Sequence, residues 1–172
     1  MYTSQDTQTR DGFLVVRHEG ILPVMKTYPS WVCWRLKKVP GKDKPTKVPY
    51  DALSGHRASH SDSRTWRSFE EAMLAYEADK AVHGIGFVFS SGDKLGGVDL
   101  DDCRDPESGA LEPWAEQRLE TARALGAYCE LSPSGTGVHL IGHCEKLVEG
   151  GNRKPLEVYT HWRFFTVTGW SV

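Results

Sequence analysis

The chain has 172 residues and a net charge of −2, with 39% hydrophobic and 26% charged residues, which is an ordinary globular composition. Its length allows one substantial domain or two very small ones, and no apolar run approaches the roughly 20 residues of a transmembrane helix. These values predict neither a membrane protein nor one that binds nucleic acid through overall positive charge.

The predicted elements begin after a flexible lead over residues 1–20. Alternating β-branched and aromatic residues predict a first strand at 31–36, and a basic loop rich in Pro and Gly separates it from a short strand at 47–51. Ser68, followed three residues later by a glutamate, predicts a capped helix over 68–79.

An apolar strand is predicted at 84–90, and a tight turn connects it as a hairpin to a strand at 98–102. An amphipathic helix over 112–126 ends at a glycine. Further strands are predicted at 127–132, 138–143, 155–160 and 163–169. We expect the last two to form a second hairpin. This order predicts an α+β fold with one mainly antiparallel sheet that carries its helices on one side.

The four cysteines lack the spacing of a metal motif. None forms a CxxC pair, and the HCEK stretch at 143–146 is the nearest approach to a zinc pattern. The N-terminus also lacks the basic-then-apolar order of a secretion signal. We therefore expect no zinc and a cytoplasmic protein with reduced thiols, which are Cys33, Cys103, Cys129 and Cys144.

Charge is distributed unevenly along the chain. Residues 31–67 contain nine Lys or Arg and three Asp, whereas residues 68–121 contain four Lys or Arg and thirteen Asp or Glu. The asymmetry indicates either two differently solvated faces or a surface that attracts polyphosphate beside one that attracts cations.

Asp99 and Asp101 stand two residues apart in the sequence GGVDLDD. Because side chains alternate along a strand, both carboxylates project to one face, while Val98 and Leu100 point to the core. Two adjacent carboxylates repel each other unless a cation lies between them, and magnesium prefers such oxygen ligands. The alternative is a solvated strand end.

Glu157 lies between Leu156 and Val158 in an otherwise apolar strand and faces the opposite side of it. A glutamate in that position is costly to bury without a partner. A third carboxylate in a metal site would explain it, and so would a salt bridge to Arg163 across the predicted hairpin.

The loop SPSGTG at 132–137 precedes a strand in which His139 points away from the core. Gly135 and Gly137 allow the backbone to approach an anion, and Ser134 adds a hydroxyl. We interpret the loop and the histidine as contacts for a phosphate group. The alternative is a simple turn followed by a surface histidine.

Together these motifs resemble the archaeo-eukaryotic primase superfamily, in particular the small primase-polymerase domains of phages, plasmids and other mobile elements. Members carry, in this order, an acidic DxD or DxE, a serine–histidine element and a later strand Asp or Glu between hydrophobic residues. The resemblance covers about residues 22–170 and includes the aromatic run from Trp31 to Phe89. The third carboxylate is Glu in this chain, where Asp is common in the superfamily.

The resemblance implies a catalytic module related to the RNA-recognition-motif fold over about 84–172, a small N-terminal α/β unit over about 21–83, and an active cleft between them. It implies a DNA primase or DNA polymerase that uses two Mg²⁺ or Mn²⁺ ions in the replication of a mobile element. Nucleoside triphosphates and single-stranded or primer-template DNA are the implied substrates. A helicase is the implied partner, because many relatives continue into a helicase domain.

The resemblance also implies roles for individual residues. The carboxylates for metal binding and catalysis are Asp99, Asp101 and Glu157. The candidates for nucleotide contacts are Ser134, Gly135, His139, Lys47 and Arg163. The candidates for nucleic-acid contacts are Lys37, Lys42, Lys44 and Trp34, because aromatic residues interleaved with basic ones suit a charged groove that stacks bases.

Two other functions fit the same motifs. Three carboxylates around magnesium would equally serve a two-metal nuclease, although a nuclease needs no triphosphate-binding loop. A non-catalytic replication initiator or single-strand-binding module would bind DNA without depending on Asp99.

Overall fold

The structure is a computed structural model that describes residues 9–38, 40–41, 44–145 and 151–172. The strands are β1 Thr9–Arg10, β2 Phe13–Leu14, β3 Trp31–Lys37, β4 Thr46–Tyr50, β5 Gly84–Phe89, β6 Leu95–Leu100, β7 Tyr128–Leu131, β8 Val138–His143, β9 Asn152–Arg153, β10 Leu156–Tyr159 and β11 Arg163–Val167. The helices are α1 Pro23–Lys26, α2 Phe69–Ala78 and α3 Pro113–Ala124. Within the described ranges, none of them is long and apolar enough to cross a membrane.

The strands form two main sheets, and not the single sheet predicted from the sequence. One sheet has five strands in the order β7-β8-β6-β10-β9, and the other has four in the order β11-β5-β3-β4. Neighbouring strands in both sheets are antiparallel. The predicted α+β class and the mainly antiparallel pairing are therefore confirmed. β1 and β2 pair separately.

Both predicted hairpins are wrong, because in each case the chain passes from one sheet to the other. β5 pairs with β3 and β11, whereas β6 pairs with β8 and β10. Between them the buried carboxylate of Asp93 accepts backbone hydrogen bonds from Ser90 at 2.5 Å and Leu95 at 2.9 Å. β10 likewise belongs to the five-stranded sheet and β11 to the four-stranded sheet. A tight turn predicts that the chain bends, but not which sheet each arm joins.

The two longer helices match the sequence prediction, and local signals explain why. At the start of α2, Ser68 Oγ accepts the Glu71 backbone N–H at 3.2 Å, and the Glu71 carboxylate accepts the Ser68 N–H at 2.9 Å. This reciprocal capping satisfies two N–H groups that the first helical turn leaves unpaired. α3 ends at Ala124, and Gly126, which follows the C-cap Leu125, has a φ of 76° that suits glycine just beyond a helix end.

α3 covers the outer face of the five-stranded sheet. Leu119 of α3 packs in one apolar cluster with Leu100 of β6 and Val138 of β8. Because side chains alternate along a strand, the neighbouring Asp99 and His139 project from the opposite, inner face. The helix thus fixes which residues of these strands face the four-stranded sheet.

The inner face of the five-stranded sheet packs against aromatic side chains of the four-stranded sheet. The Phe165 ring centroid lies 4.5 Å from that of His139 and 5.1 Å from that of Tyr159. Gly97 permits this approach, since a Cβ there would lie 3.0 Å from the Phe89 ring. The domain boundary near residue 83 stays a prediction. The four-stranded sheet combines strands that precede this residue in the sequence with strands that follow it.

Candidate active site

Four polar side chains form a row across the inner face of the five-stranded sheet. The strand register places Glu130 of β7 opposite His139 of β8, His139 opposite Asp99 of β6, and Asp99 opposite Glu157 of β10. Directly opposed residues have Cβ atoms about 4.5–5.5 Å apart. We call these four residues the acid–histidine row. It unites the three sequence motifs and adds Glu130, which the sequence analysis missed.

The row borders a cavity of about 870 Å³ that both sheets line. The five-stranded sheet and the turn after β6 supply its carboxylates, whereas β4 and β11 supply basic side chains. The cavity brings together six of the predicted site residues, namely Lys47, Asp99, Asp101, His139, Glu157 and Arg163. Acidic and basic groups thus share one space large enough for a small ligand.

Asp99 lies at the centre of the carboxylates, and its side chain is 25% exposed. Burial raises the pKa of Asp99, and the nearby charges of Asp101 and Glu157 raise it further, while His139 and Lys47 lower it. A partly buried carboxylate beside two others is electrostatically unfavourable in its charged form. A divalent cation would relieve that repulsion.

Asp101 follows the last residue of β6, and its backbone N–H donates to the Pro155 carbonyl at 2.8 Å. Its side chain accepts a hydrogen bond from the exposed ammonium of Lys154. This hydrogen bond raises the pKa of Lys154. The sequence analysis missed Lys154 because a single lysine in a polar loop shows no pattern.

Glu157 accepts a hydrogen bond from the Tyr159 hydroxyl at 2.6 Å. The two side chains share one face of β10, as strand alternation predicted. Burial, followed by this hydrogen bond, raises the pKa of Tyr159. The hairpin across which Arg163 was expected to meet Glu157 does not form, although Arg163 does line the same cavity.

His139 is 2% exposed and lies between two carboxylates. Its Nδ1 is 3.2 Å from Glu130 Oε1, and its Nε2 is 3.7 Å from Asp99 Oδ1. The predicted orientation, away from the apolar cluster under α3, is confirmed. The alternative of a surface histidine is wrong, because Phe165 of the other sheet covers the ring.

The SPSGTG loop does not supply lining to this cavity in the described part of the chain. The Ser134 hydroxyl contacts the Thr136 hydroxyl at 2.8 Å, and the Gly135 carbonyl accepts from Arg104 at 2.9 Å. Gly137 is needed for packing, since a Cβ there would lie 2.6 Å from the Leu100 carbonyl oxygen. The cavity therefore gives no support to direct nucleotide contacts by Ser134 and Gly135, and the loop's visible role is to anchor the start of β8.

Lys47 of β4 is half-buried on the cavity wall. Burial lowers the pKa of Lys47, whereas the carboxylates of Asp99 and Asp101 raise it. Its Nζ lies 5.6 Å from the centroid of the Trp34 ring. A half-buried ammonium near carboxylates differs from the exposed lysines of the preceding loop that the structure describes, Lys38 and Lys44.

The predicted nucleic-acid residues fall into different environments. Trp34 is 1% exposed and packs against Phe13, so its assignment to nucleic acid is wrong. It is buried because both faces of the four-stranded sheet are covered at β3. Lys37 and Lys44 are exposed and stay candidates, while Lys42 lies outside the described residues.

Trp162 is an aromatic residue that the sequence analysis missed. It lines the cavity, is 41% exposed and has a φ of 53°, which is unusual for a bulky residue. Its backbone N–H donates to the Phe89 carbonyl at 2.7 Å, which holds the turn between β10 and β11 in place. Backbone strain of this kind often marks a functional position.

In the part of the chain that the structure describes, no group of three or more His, Cys, Asp or Glu side chains is arranged as a ready-made metal site. The four cysteines are free thiols, as predicted. The chemistry of the cavity still suits a hard cation, since Asp99, Asp101 and Glu157 supply carboxylate oxygens.

Comparison with profiles of known protein families gives no match. A DNA primase-polymerase of Nitratiruptor phage NrS-1 is 32% identical to this chain over 157 residues. The similarity covers 86% of this chain and 20% of the phage protein, so the chain spans about a fifth of the length of its relative. This result confirms the resemblance to the phage-type group that the motifs predicted.

Proposed function

We propose, from its relationship to a phage-type primase-polymerase, that this chain is a template-directed nucleotidyltransferase that acts in the replication of a phage, plasmid or other mobile element. The observation that carries the proposal is one cavity in which Asp99, Asp101 and Glu157 share space with Lys47 and Arg163. Phosphoryl-transfer enzymes need carboxylates that hold divalent ions and basic groups that hold a polyphosphate. Both are present within one cavity.

The three carboxylates would hold Mg²⁺ or Mn²⁺. Burial raises the pKa of Asp99, and the charges of Asp101 and Glu157 raise it further, so a divalent cation at this position would offset an unfavourable concentration of negative charge. Such ions would activate the attacking 3′-hydroxyl and stabilise the departing pyrophosphate. In the protein itself, Lys154 and Tyr159 hydrogen-bond Asp101 and Glu157 and hold those carboxylates at the cavity wall.

Lys47 and Arg163 are the groups suited to the triphosphate. Both are basic, both line the cavity, and they come from β4 and β11 of the four-stranded sheet. A triphosphate bound between the two sheets would have its charge neutralised by Lys47 and Arg163 of the four-stranded sheet, and its other side would face the carboxylates of the five-stranded sheet. His139 lies beside Asp99 and would contact the reacting end of the nucleotide.

Trp162 is expected to stack on a nucleobase at the cavity rim. Replacing it with Ala should weaken binding of nucleotide or single-stranded DNA by roughly 1–3 kcal/mol per lost stack. Trp162→Phe is the matched control, because it keeps an aromatic ring and should retain most of the affinity. Separate titrations with nucleoside triphosphate and with single-stranded DNA show whether Trp162 stacks on the base of the nucleotide or on a base of the DNA. Equal affinities of the Ala and Phe variants for both ligands would exclude stacking.

A primer-template assay tests the proposed activity against its rivals. A labelled primer should lengthen only when Mg²⁺ or Mn²⁺ and nucleoside triphosphates are both present. Shortening of the primer without nucleotides would point to a two-metal nuclease. DNA binding without either reaction, unchanged in the Asp99→Asn variant, would point to a non-catalytic single-strand-binding module.

A further inference from the structure

Glu130 of β7 is a buried carboxylate to which neither the sequence motifs nor the proposed function assigns a role. It is 0% exposed, yet its two oxygens are well supplied with donors. The Thr168 N–H donates at 3.0 Å, the Gly169 N–H at 2.7 Å and the Tyr128 hydroxyl at 2.8 Å. Both oxygens of the carboxylate therefore act as hydrogen-bond acceptors toward this part of the chain.

The same carboxylate faces one side of the His139 ring, with Glu130 Oε1 3.2 Å from Nδ1. Because the oxygens of Glu130 act as acceptors toward their other partners, the matching partner at Nδ1 is a ring nitrogen that carries a proton. The opposite nitrogen, Nε2, then faces Asp99 and the cavity. A carboxylate behind a histidine commonly fixes both the ring orientation and the position of its proton.

Glu130 is held by a tightly packed turn. Gly169, which donates to it, has a φ of 76°, and a Cβ at that position would lie 1.9 Å from the Arg17 carbonyl oxygen. The turn at Thr168 and Gly169 is therefore tightly packed and limits movement of the carboxylate. The His139 ring therefore contacts a carboxylate whose position this turn restricts.

We propose that Glu130 is a positioning residue that keeps the proton of His139 on Nδ1 and directs Nε2 into the cavity toward the bound nucleotide. The assignment of the nucleotide rests on the proposed function, but the position of the proton does not. A purely structural Glu130 would serve only to pair the Thr168 and Gly169 N–H groups. The two roles predict different behaviour of the His139 ring.

The first experiment is ¹⁵N–¹H correlation NMR of the histidine ring nitrogens in protein free of metal and nucleotide, with His139→Ala used to assign the signals. We expect a proton on Nδ1 in the wild type. In Glu130→Gln the amide can donate to Nδ1, so the proton should shift toward Nε2. Tyr128→Phe removes a different hydrogen bond to the same carboxylate and should leave the ring unchanged.

The wild-type spectrum decides the matter even if Glu130→Gln fails to fold, since an unprotonated Nδ1 would overturn the proposal. Where the variant folds, nucleotide titration provides a second test. His139→Ala and Glu130→Gln should each weaken binding by about 10-fold, and Tyr128→Phe by less than about twofold. A Glu130→Gln protein with the wild-type ring pattern and affinity would show a structural role only. A shifted proton with unchanged affinity in both His139→Ala and Glu130→Gln would keep the positioning role and refute the proposed nucleotide contact.

Discussion

Replacing Asp99 with asparagine is expected to reduce primer extension by more than about 100-fold, because the proposed function makes Asp99 a metal ligand whose loss would remove several kcal/mol of charge stabilisation from the transition state. Asparagine has nearly the size of aspartate, so the packing beside His139 should survive. Single-turnover extension of a labelled primer at saturating Mn²⁺ measures the loss. Asp102→Asn is the matched control, since Asp102 is exposed and its φ of 48° is tolerated by asparagine.

The same variant should be more stable than the wild type at neutral pH in the absence of metal. Burial, together with neighbouring charges, raises the pKa of Asp99 in the folded protein. A carboxyl group with a raised folded-state pKa stabilises the fold only while it is protonated, and this contribution is lost as pH rises through that pKa. Asparagine does not titrate, so the stability advantage of the Asp99→Asn variant over the wild type should grow as pH rises across the acidic range. Urea unfolding with a chelator present measures the difference in free energy of unfolding between the two proteins. A stability advantage that shrinks with rising pH would contradict the assigned environment of Asp99.

The sequence predicted most elements but not their assembly. The capping pair Ser68 and Glu71 is a local signal, and the helix it predicts is present at nearly the predicted residues. The turn at Asp93 was equally visible in the sequence, but the destination of the strand after it depends on partners far along the chain. That is why the two-sheet arrangement was not foreseen.

The site shows the same division between local and distant information. Strand alternation correctly placed Asp99 and His139 on one face of their strands. Glu130 in the stretch AYCELS is, like Glu157, a glutamate inside an apolar strand, so the same pattern points to it. Trp34 was misassigned because its alternating strand gave no sign that helix, loop and neighbouring strands cover both faces of its sheet.

Gly137 shows that a glycine can be required for a reason other than the predicted one. Gly137 was interpreted as an approach point for an anion, whereas the structure uses it for close contact with the Leu100 carbonyl. That contact still serves the site, because it fixes the start of β8 beside the end of β6. His139 is positioned by this packing, although the loop itself lies outside the cavity lining.

Replacing Lys47 with methionine is expected to weaken nucleotide binding by roughly 10- to 100-fold while leaving template affinity nearly unchanged. The loss corresponds to one charge-assisted contact of about 1.5–3 kcal/mol. Lys47 has a fixed direction on β4 and lines the cavity, which distinguishes it from the exposed lysines near the loop. The control is the double variant Lys37→Gln and Lys44→Gln, which should weaken template binding and flatten its salt dependence, because fewer counterions are released from the phosphates.

Stability separates this effect from misfolding. Burial lowers the pKa of Lys47, so the folded protein disfavours the charged ammonium at neutral pH, and that penalty disappears only as pH rises through the usual lysine range. Methionine carries no charge, so the free energy of unfolding of Lys47→Met should equal or exceed that of the wild type.

The measurement is nucleotide affinity and DNA affinity at several salt concentrations for both variants. If the Lys47→Met protein and the double variant lose the same affinities with the same salt dependence, Lys47 belongs to the general basic surface and the triphosphate does not lie against β4.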